Sequence, residues 1–364
     1  ENNLYGRNGE DDVNKIKVLH ILSSKTYNGA ENVVCQINSM LQGAGDNIEL
    51  IYCSLDGPVR SHIEENKMAF SPVSKVSVKE IRRVIDEVKP DAIHAHDMKA
   101  SFVAALACGK TPLISHIHNN NTDSRKLSIK SILYLLAAIK AKHIFWVSNS
   151  SFNGYCFHNF LKKKSEVLVN VINADDLYNK AEKDPNEYSY DAIYLGRLAY
   201  PKNPQRLVTI FEKVVEKDKR FTAAIVGEGE DREEVESLIQ NKGLQNNVFC
   251  LGFSNNPYKI LQSAKMMIMT SLWEGTPMCA LEALAMGIPI VSTPVDGLCD
   301  LIENGKNGFL SDSDDELADW CFKLATDKEL QKEFSEGAKR TSEAKMSIDN
   351  YRKRILSVYK EAVQ

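Results

Sequence analysis

The sequence predicts two α/β domains, each a doubly wound parallel sheet of the Rossmann-like kind, that face each other across a cleft. Short apolar runs alternate with helical patterns along the chain, and this alternation occurs in two separate series. A length of 364 residues also exceeds what one hydrophobic core usually supports. We therefore expect two domains of comparable size.

The first series begins with an apolar run at residues 18–22, which predicts a buried strand, and a helix follows over residues 31–41. Further strands are predicted at residues 48–53, 91–94 and 112–116, with helices near 78–87 and 100–107. Together these elements predict an N-terminal domain of residues 15–180. Residues 1–14 are polar and lack an initiating methionine, so we expect a disordered or artificial end there.

The second series starts after a polar stretch at residues 179–188. It predicts strands at residues 192–195, 223–226, 248–251, 266–269 and 288–291, each followed by a turn and a helix. These elements predict a C-terminal domain of residues 181–345. Residues 346–364 predict a final helix that must pack on another surface, because Tyr351, Ile355 and Val358 recur at helical spacing.

Composition limits the class of protein. Hydrophobic residues make up 43% and charged residues 26%, which is typical of a folded, soluble protein. A net charge of -4 gives no overall attraction to nucleic acid, so we expect no nucleic-acid partner. The eight scattered cysteines predict reduced thiols and a cytoplasmic protein. No apolar run reaches the ~20 residues of a spanning helix, and we expect neither a spanning nor a secreted protein.

The most informative segment is residues 270–293, which follows a predicted buried strand. Thr276 is predicted to cap a helix with Pro277 at its first position and Gly287 just past its end. The free amides of Met278 and Cys279 would then face the cleft. A helix start at the carboxyl edge of a parallel sheet favours an anion such as a diphosphate.

Glu282 is the one ionisable side chain of this predicted helix. The helix is otherwise apolar, so we expect this carboxylate to be buried and to need partners. The paired hydroxyls of a ribose would satisfy it, and the alternative is a core glutamate paired with an arginine.

Glu274 and Glu282 are separated by seven residues within the pattern Glu-Gly-x-Pro-x-x-x-x-Glu-Ala. This pattern resembles the signature of retaining GT-B glycosyltransferases of the family 4 type, also called glycosyl transferases group 1. The resemblance implies an acceptor-side N-terminal domain, a C-terminal domain that binds a nucleotide-sugar donor, and a final helix that returns to the N-terminal domain. It also implies that Glu274 contacts the donor sugar, that Glu282 binds the ribose, and that the amides between them hold the diphosphate.

Further motifs match the family along nearly the whole chain. Arg197 and Lys202 follow the first strand of the second domain, where the family has an arginine and a lysine. A guanidinium and an ammonium can stabilise the charge that develops on a departing diphosphate without a metal ion. We therefore expect neither a metal nor another cofactor. The alternative for this pair is an ordinary solvated loop.

Glycine-bearing loops extend the match to the donor's other contacts. Gly227 and Glu228 match the loop beside the nucleotide, and Gly252 matches the point where the backbone meets the base. Gly29 matches a glycine that lets the backbone approach the donor. Asn28 departs from the glycine that usually precedes it, and the turn is expected to survive because asparagine tolerates positive φ.

A histidine near the transferring sugar is expected where the strand at residues 112–116 ends. His118 fits best by register, while His116 would face the same side of the strand and stays the competitor. The alternative is a structural histidine. Asn170-Val171 stands where the family has Asn-Gly before the linker, and a flexible residue is lost there.

Residues 125–142 combine leucines and isoleucines with basic residues, a mixture that suits a helix on an anionic membrane surface. The alternative is a core helix with lysine ends. The basic residues of this segment are Arg125, Lys126, Lys130, Lys140 and Lys142.

The resemblance implies a retaining glycosyltransferase whose partners are a nucleotide-sugar donor and a saccharide or lipid-linked acceptor. Capsule, exopolysaccharide or O-antigen synthesis at the inner face of the membrane is the expected setting. An inactive nucleotide-sugar-binding subunit and a GT-B nucleotide-sugar epimerase stay open as alternatives. A nicotinamide dehydrogenase is disfavoured, because the loop after the first strand lacks Gly-x-Gly-x-x-Gly.

Overall fold

The computed structural model describes residues 15–118 and 122–364. The predicted disordered end at residues 1–14 lies outside the described residues. Within them, the chain forms two parallel sheets of seven and six strands, each covered by helices. The predicted fold class, two doubly wound α/β domains, is therefore confirmed.

The first sheet has the strand order β3-β2-β1-β4-β5-β6-β7, and all of its described pairings are parallel. The strand order reverses at β1, which creates a crevice at the carboxyl edge of the sheet. The strands are β1 Ile16–Ile21, β2 Ile48–Cys53, β3 Ala69–Phe70, β4 Ala92–His96, β5 Leu113–Ile117, β6 His143–Trp146 and β7 Ser165–Val167. The helices are α1 Gly29–Gly43, α2 Val59–Glu65, α3 Val78–Val88, α4 Asp97–Ala107, α5 Ile129–Lys140, α6 Asn149–Gly154, α7 His158–Leu161 and α8 Ala174–Glu182.

The second sheet has the order β10-β9-β8-β11-β12-β13, and its strand order reverses at β8 in the same way. Its strands are β8 Tyr190–Leu195, β9 Ala223–Val226, β10 Val248–Gly252, β11 Ala264–Met269, β12 Ile290–Ser292 and β13 Gly308–Leu310. Its helices are α9 Pro204–Lys217, α10 Arg232–Asn241, α11 Tyr258–Ser263, α12 Met278–Ala285, α13 Asp296–Cys299, α14 Asp314–Thr326 and α15 Lys328–Lys345, and α16 Ile348–Val363 closes the chain.

Two helices cross between the units. The predicted boundary near residue 180 falls within α8, which packs on α11 and α12 of the second unit. The final helix, α16, packs on α1, β1 and β4 of the first unit. Its arginines extend this contact through ion pairs from Arg352 to Asp46 at 2.6 Å and from Arg354 to Glu166 at 2.7 Å.

The units also meet directly at the edges where their strands end. The hydroxyl of Thr276, just before α12, donates to the backbone carbonyl of Val147, which follows β6, at 2.9 Å. The amide of Asn149 donates to a carboxylate oxygen of Asp300 at 2.8 Å. These bonds join the carboxyl edge of the first sheet to the loops of the second, so the cleft lies between the two carboxyl edges.

Candidate active site

The α12 helix begins at the cleft, although not as the sequence predicted. Its N-cap is Pro277, with φ -69° and ψ 123°, and Met278 is its first residue. The expected capping role of Thr276 is wrong, because its hydroxyl is used in the hydrogen bond to Val147. The predicted end is confirmed, since Gly287 follows the C-cap residue with a φ of +73°.

The start of α12 lies close to the opposite domain. The amides of Met278 and Cys279 are the first two of the helix, and such amides have no carbonyl partner within the helix itself. An added Cβ at Gly29, the first residue of α1, would lie 3.6 Å from the side chain of Met278. The structure therefore places Gly29 and the start of α12 opposite each other in the cleft.

Lys202 and Glu274 meet beside this helix start. The ammonium of Lys202 donates to Glu274 Oε1 at 2.5 Å, and the hydroxyl of Ser271 donates to the same oxygen at 2.6 Å. Glu274 is only 9% exposed, so this ion pair is largely shielded from solvent. Thr270 fixes the lysine's loop, because its hydroxyl donates to the backbone carbonyl of Asn203 at 2.9 Å.

Arg197 follows β8 and is exposed. Its backbone carbonyl accepts a hydrogen bond from the hydroxyl of Tyr194 at 2.9 Å, which fixes the chain at this point. Among residues 15–118 and 122–364, no carboxylate forms an ion pair with the Arg197 guanidinium. Its donors are therefore open to an anionic ligand.

Gly227 allows two strand ends to touch. An added Cβ at Gly227 would lie 1.9 Å from the backbone oxygen of Gly196, so no side chain fits there. Glu228 forms an ion pair with Arg232, the first residue of α10. Gly252 has a φ of +75°, and an added Cβ would lie 3.1 Å from Glu228 Oε1. The structure thus brings the three predicted loop residues together.

Glu282 lies at a cavity of about 200 Å³ between the two units. The hydroxyl of Tyr258 donates to Glu282 Oε1 at 3.2 Å, so the expected arginine partner of the core alternative is not present among the described residues. Burial raises the pKa of the Glu282 carboxyl, and the hydrogen bond from Tyr258 opposes that shift. Residues from α1, α8 and α11 complete the cavity, including Asn32, Asn173 and Lys180.

His118 and His116 lie on the same side of β5, as predicted, with 4.2 Å between their ring centroids. His116 is fully buried and His118 is 8% exposed. The backbone amide of His118 donates to a carboxylate oxygen of Asp97 at 2.9 Å. Asp97 has a φ of +65°, a left-handed conformation that is uncommon outside glycine and that clusters at functional sites.

Asp97 was not predicted from the sequence, and neither were three more histidines that pack against His116 and His118. His20 on β1 and His94 and His96 on β4 are all buried in the same layer. The signal for this cluster was the alternation of histidines at two-residue spacing in neighbouring strands, since such residues share one face of a sheet. Positive φ at Asp97 has no signal in the sequence.

Two other expectations for the first domain need correction or detail. Asn28 has a φ of -138° and serves as the N-cap of α1, so the positive φ expected there does not occur. The Asn28 amide instead donates to Glu31 Oε2 at 3.0 Å. The side chain of Asn170 contacts the sulfur of Met278 at 3.6 Å across the cleft.

Comparisons with known proteins agree with this arrangement. Residues 27–176 match the model described as glycosyltransferase family 4, and residues 177–341 match the one described as glycosyl transferases group 1. An uncharacterized glycosyltransferase of Methanocaldococcus jannaschii is 28% identical over 72% of this chain and 78% of its own length. The UDP-Gal:alpha-D-GlcNAc-diphosphoundecaprenol alpha-1,3-galactosyltransferase of Escherichia coli is 25% identical over 83% of this chain and 85% of its own length.

Solved structures show the same fold at lower identity. HepE of Anabaena, crystallised in complex with UDP, superposes with a TM-score of 0.82 at 20% identity, covering 95% of this chain and 100% of HepE. The two family models join at residues 176 and 177 and together match residues 27–341. The chain therefore belongs to the group 1 glycosyltransferases, enzymes of EC class 2.4, and has their GT-B fold.

Proposed function

We propose that this enzyme moves a sugar from a nucleotide-sugar donor to a lipid-linked saccharide with retention of anomeric configuration. One observation carries the proposal: the Lys202–Glu274 ion pair lies beside the start of α12, which faces Gly29 across the cleft. Arg197 follows the neighbouring strand β8 and forms no ion pair among the described residues. This arrangement suits a diphosphate whose sugar lies between the two domains.

The donor's diphosphate is held by the amides of Met278 and Cys279, with Arg197 and Lys202 beside them. Its ribose hydroxyls bind Glu282 at the inter-unit cavity. Glu274 contacts the sugar while its other oxygen keeps Lys202 in place. HepE bound UDP in its crystals and the Escherichia coli relative is named for UDP-Gal, so UDP-sugars are the first donors to test.

In the reaction, the bond between the sugar's anomeric carbon and the diphosphate oxygen breaks, and the electron pair stays on the diphosphate. The acceptor oxygen bonds to the anomeric carbon on the same face, and its proton passes to the departing phosphate. Arg197, Lys202 and the α12 amides stabilise the negative charge on the leaving group. His118 lies near the transferring sugar. These groups already supply positive potential, so the proposed reaction needs no divalent metal.

The lipid-linked acceptor is supported by the surface of α5. Leu127, Ile129, Leu136 and Ile139 are 76%, 78%, 55% and 60% exposed, so the large apolar side chains point outward rather than into a core. Lys126, Lys130, Lys140 and Lys142 are exposed beside them. In the described residues, no helix is both long and apolar enough to cross a bilayer. We propose peripheral contact with the cytoplasmic face of an anionic membrane, where lipid-linked acceptors are found.

Single substitutions test the donor site. Arg197→Ala and Glu282→Ala are each expected to lower turnover about a hundredfold, as for loss of one preorganised charged contact. Arg220→Ala provides a control, because Arg220 is 87% exposed on the same domain and far from the cleft edge. Near-normal turnover in Arg197→Ala or Glu282→Ala would refute the site assignment. Full activity after exhaustive treatment with a chelator is expected, and rescue by magnesium or manganese would contradict it.

Vesicle co-sedimentation tests the membrane contact. Charge reversal at Lys126, Lys130, Lys140 and Lys142 is expected to abolish binding to anionic vesicles, since each lysine contributes about 1 kcal/mol near such a surface. The same reversal at Lys219, Lys306, Lys328 and Lys332 of the second unit is the matched control and is expected to leave binding intact. Equal loss in both variants, or no binding by the parent, would contradict the proposal.

A further inference from the structure

Five buried histidines and one tyrosine form a layer on one face of the first sheet. His20 on β1 and His94 and His96 on β4 are 0–1% exposed, and His116 and His118 on and just after β5 extend the layer. The final helix, α16, covers this face and directs the fully buried Tyr359 into it. The layer therefore joins the last turns of the chain to the cleft residue His118.

Four of these histidines and Tyr359 form one continuous series of hydrogen bonds. His118 Nε2 lies 2.8 Å from His96 Nδ1, and His96 Nε2 lies 2.9 Å from His20 Nδ1. His20 Nε2 lies 3.0 Å from the Tyr359 hydroxyl, which lies 2.8 Å from His94 Nδ1. We call this series the histidine chain. His118 is its one member with appreciable exposure, at 8%.

Burial keeps the histidine chain neutral. It lowers the pKa of His20 to about 3, and it lowers the pKa values of His94 and His96 well below the ordinary value. The pKa of His118 is also lowered by burial, and Asp97 opposes that shift. A neutral imidazole has one nitrogen that donates and one that accepts. Each bond in the chain therefore fixes the direction of the next.

Only two arrangements of hydrogens satisfy every bond of the histidine chain. If Tyr359 donates to His94, its oxygen accepts from His20 Nε2, and His20, His96 and His118 all carry their hydrogen on Nε2. If Tyr359 donates to His20, all three carry it on Nδ1. The direction of the Tyr359 hydroxyl, on α16, thus determines whether His118 Nδ1 presents a lone pair or an N–H group.

We propose that Tyr359 is a positioning residue that locks His20, His96 and His118 into one shared tautomer. The effect of Tyr359 on turnover rests on the proposed function of His118, whereas its effect on the histidine tautomers does not. The same histidines could ligate a metal only by giving up these bonds, since His96 and His118 share a hydrogen at 2.8 Å.

Histidine-selective ¹⁵N labelling tests the tautomer directly, because nitrogens with and without hydrogen have well-separated resonances. His20, His96 and His118 are expected to show the same single tautomer in the parent, with signals assigned by their loss in single His→Asn variants. In Tyr359→Phe the anchor is removed, and the minor tautomer of His118 is expected to rise at least threefold. Tyr351→Phe is the matched control, because Tyr351 is buried on the same helix and its hydroxyl has no partner among the described residues.

Kinetics separate this role from a merely structural one. Tyr359→Phe is expected to lower kcat about tenfold while the donor KM stays within twofold, and Tyr351→Phe to keep both values. Different tautomers at His96 and His118 in the parent, an unchanged His118 spectrum in Tyr359→Phe, or stoichiometric zinc in the purified protein would overturn the proposal. A shifted tautomer with unchanged kcat would instead leave Tyr359 as proposed and remove His118 from the catalytic machinery.

Discussion

Mild acid is expected to unfold the first domain, because its histidine layer is buried in the neutral form. His20, His94, His96 and His116 have lowered pKa values in the folded protein, chiefly through burial. The unfolded chain binds more protons than the folded one below about pH 6.5, so stability is fully present above that pH and is lost as the pH falls toward 3. Between pH 7 and pH 5.5 each histidine lowers the free energy of unfolding by about 1.2 kcal/mol, and the four together lower it by about 5 kcal/mol.

That loss is comparable to the ~5–15 kcal/mol by which a domain is usually stable. Burial raises the pKa of Glu31 and Glu282, which take up protons in the folded state and offset part of the loss. The assay is urea unfolding at several pH values, followed by the fluorescence of Trp146, which is buried in the first unit. Replacing Trp273 and Trp320 by phenylalanine leaves Trp146 as the sole tryptophan reporter.

Substitution identifies the source of the pH dependence. His116→Phe removes one titrating group whose nitrogens have no hydrogen-bond partner among the described residues, so it leaves the histidine chain intact. It is expected to reduce the loss between pH 7 and pH 5.5 by about 1.2 kcal/mol. His62→Gln serves as the control for replacing a histidine outside the layer, since the His62 side chain is 42% exposed. Stability that stays constant down to pH 5.5 in the parent would refute the reasoning.

Three further predictions follow from single contacts. Gly227→Ala is expected to lower the melting temperature by more than 5 °C, because the added Cβ meets a backbone oxygen. Gly43→Ala is the control, since Gly43 has open space around it, and it is expected to change the melting temperature by no more than about 1 °C. Thr276→Val is expected to cost about 1–3 kcal/mol in urea unfolding and to raise the donor KM, since it leaves a buried carbonyl unpaired at the cleft. Arg352→Met is expected to speed hydrogen exchange of the α16 amides by breaking the ion pair to Asp46; unchanged exchange would show that apolar packing alone holds the helix.

The predictable part of the fold is the part with strong apolar patterns. All nine strands that the sequence predicted are present. Eight of them lie inside their sheets, and β10 is an edge strand with a longer apolar run than the other edge strands. The strands β3, β7 and β13 were missed, since they have only two or three residues and lie at sheet edges. The strand β6 was not predicted, because it directly follows the basic segment of residues 125–142, which was interpreted as a surface helix.

The candidate site was predictable where spacing along one segment fixes the geometry. Glu274, Glu282 and Gly287 belong to one loop and helix, so their relative positions follow from local structure. The hydroxyl of Thr276 was misassigned because its partner, Val147, lies in the other domain and is distant in sequence. The hydrogen bond of Tyr258 to Glu282 and the histidine chain were missed for the same reason. Pairings between residues that are distant in sequence depend on how the elements pack.

The position of α16 has a consequence for how the protein is made. His20 and Tyr359 are separated by 339 residues along the chain, yet they are hydrogen-bonded partners. At the ~5–20 residues per second of synthesis, roughly 20 to 70 seconds pass between the appearance of the two. In the later part of that interval, after β7 Ser165–Val167 has been made, the first sheet can form without its α16 cover, while the second domain can complete its own sheet. Closure of the N-terminal domain is thus expected to follow synthesis of α16, and chaperones that bind exposed apolar surface have their opportunity in that interval.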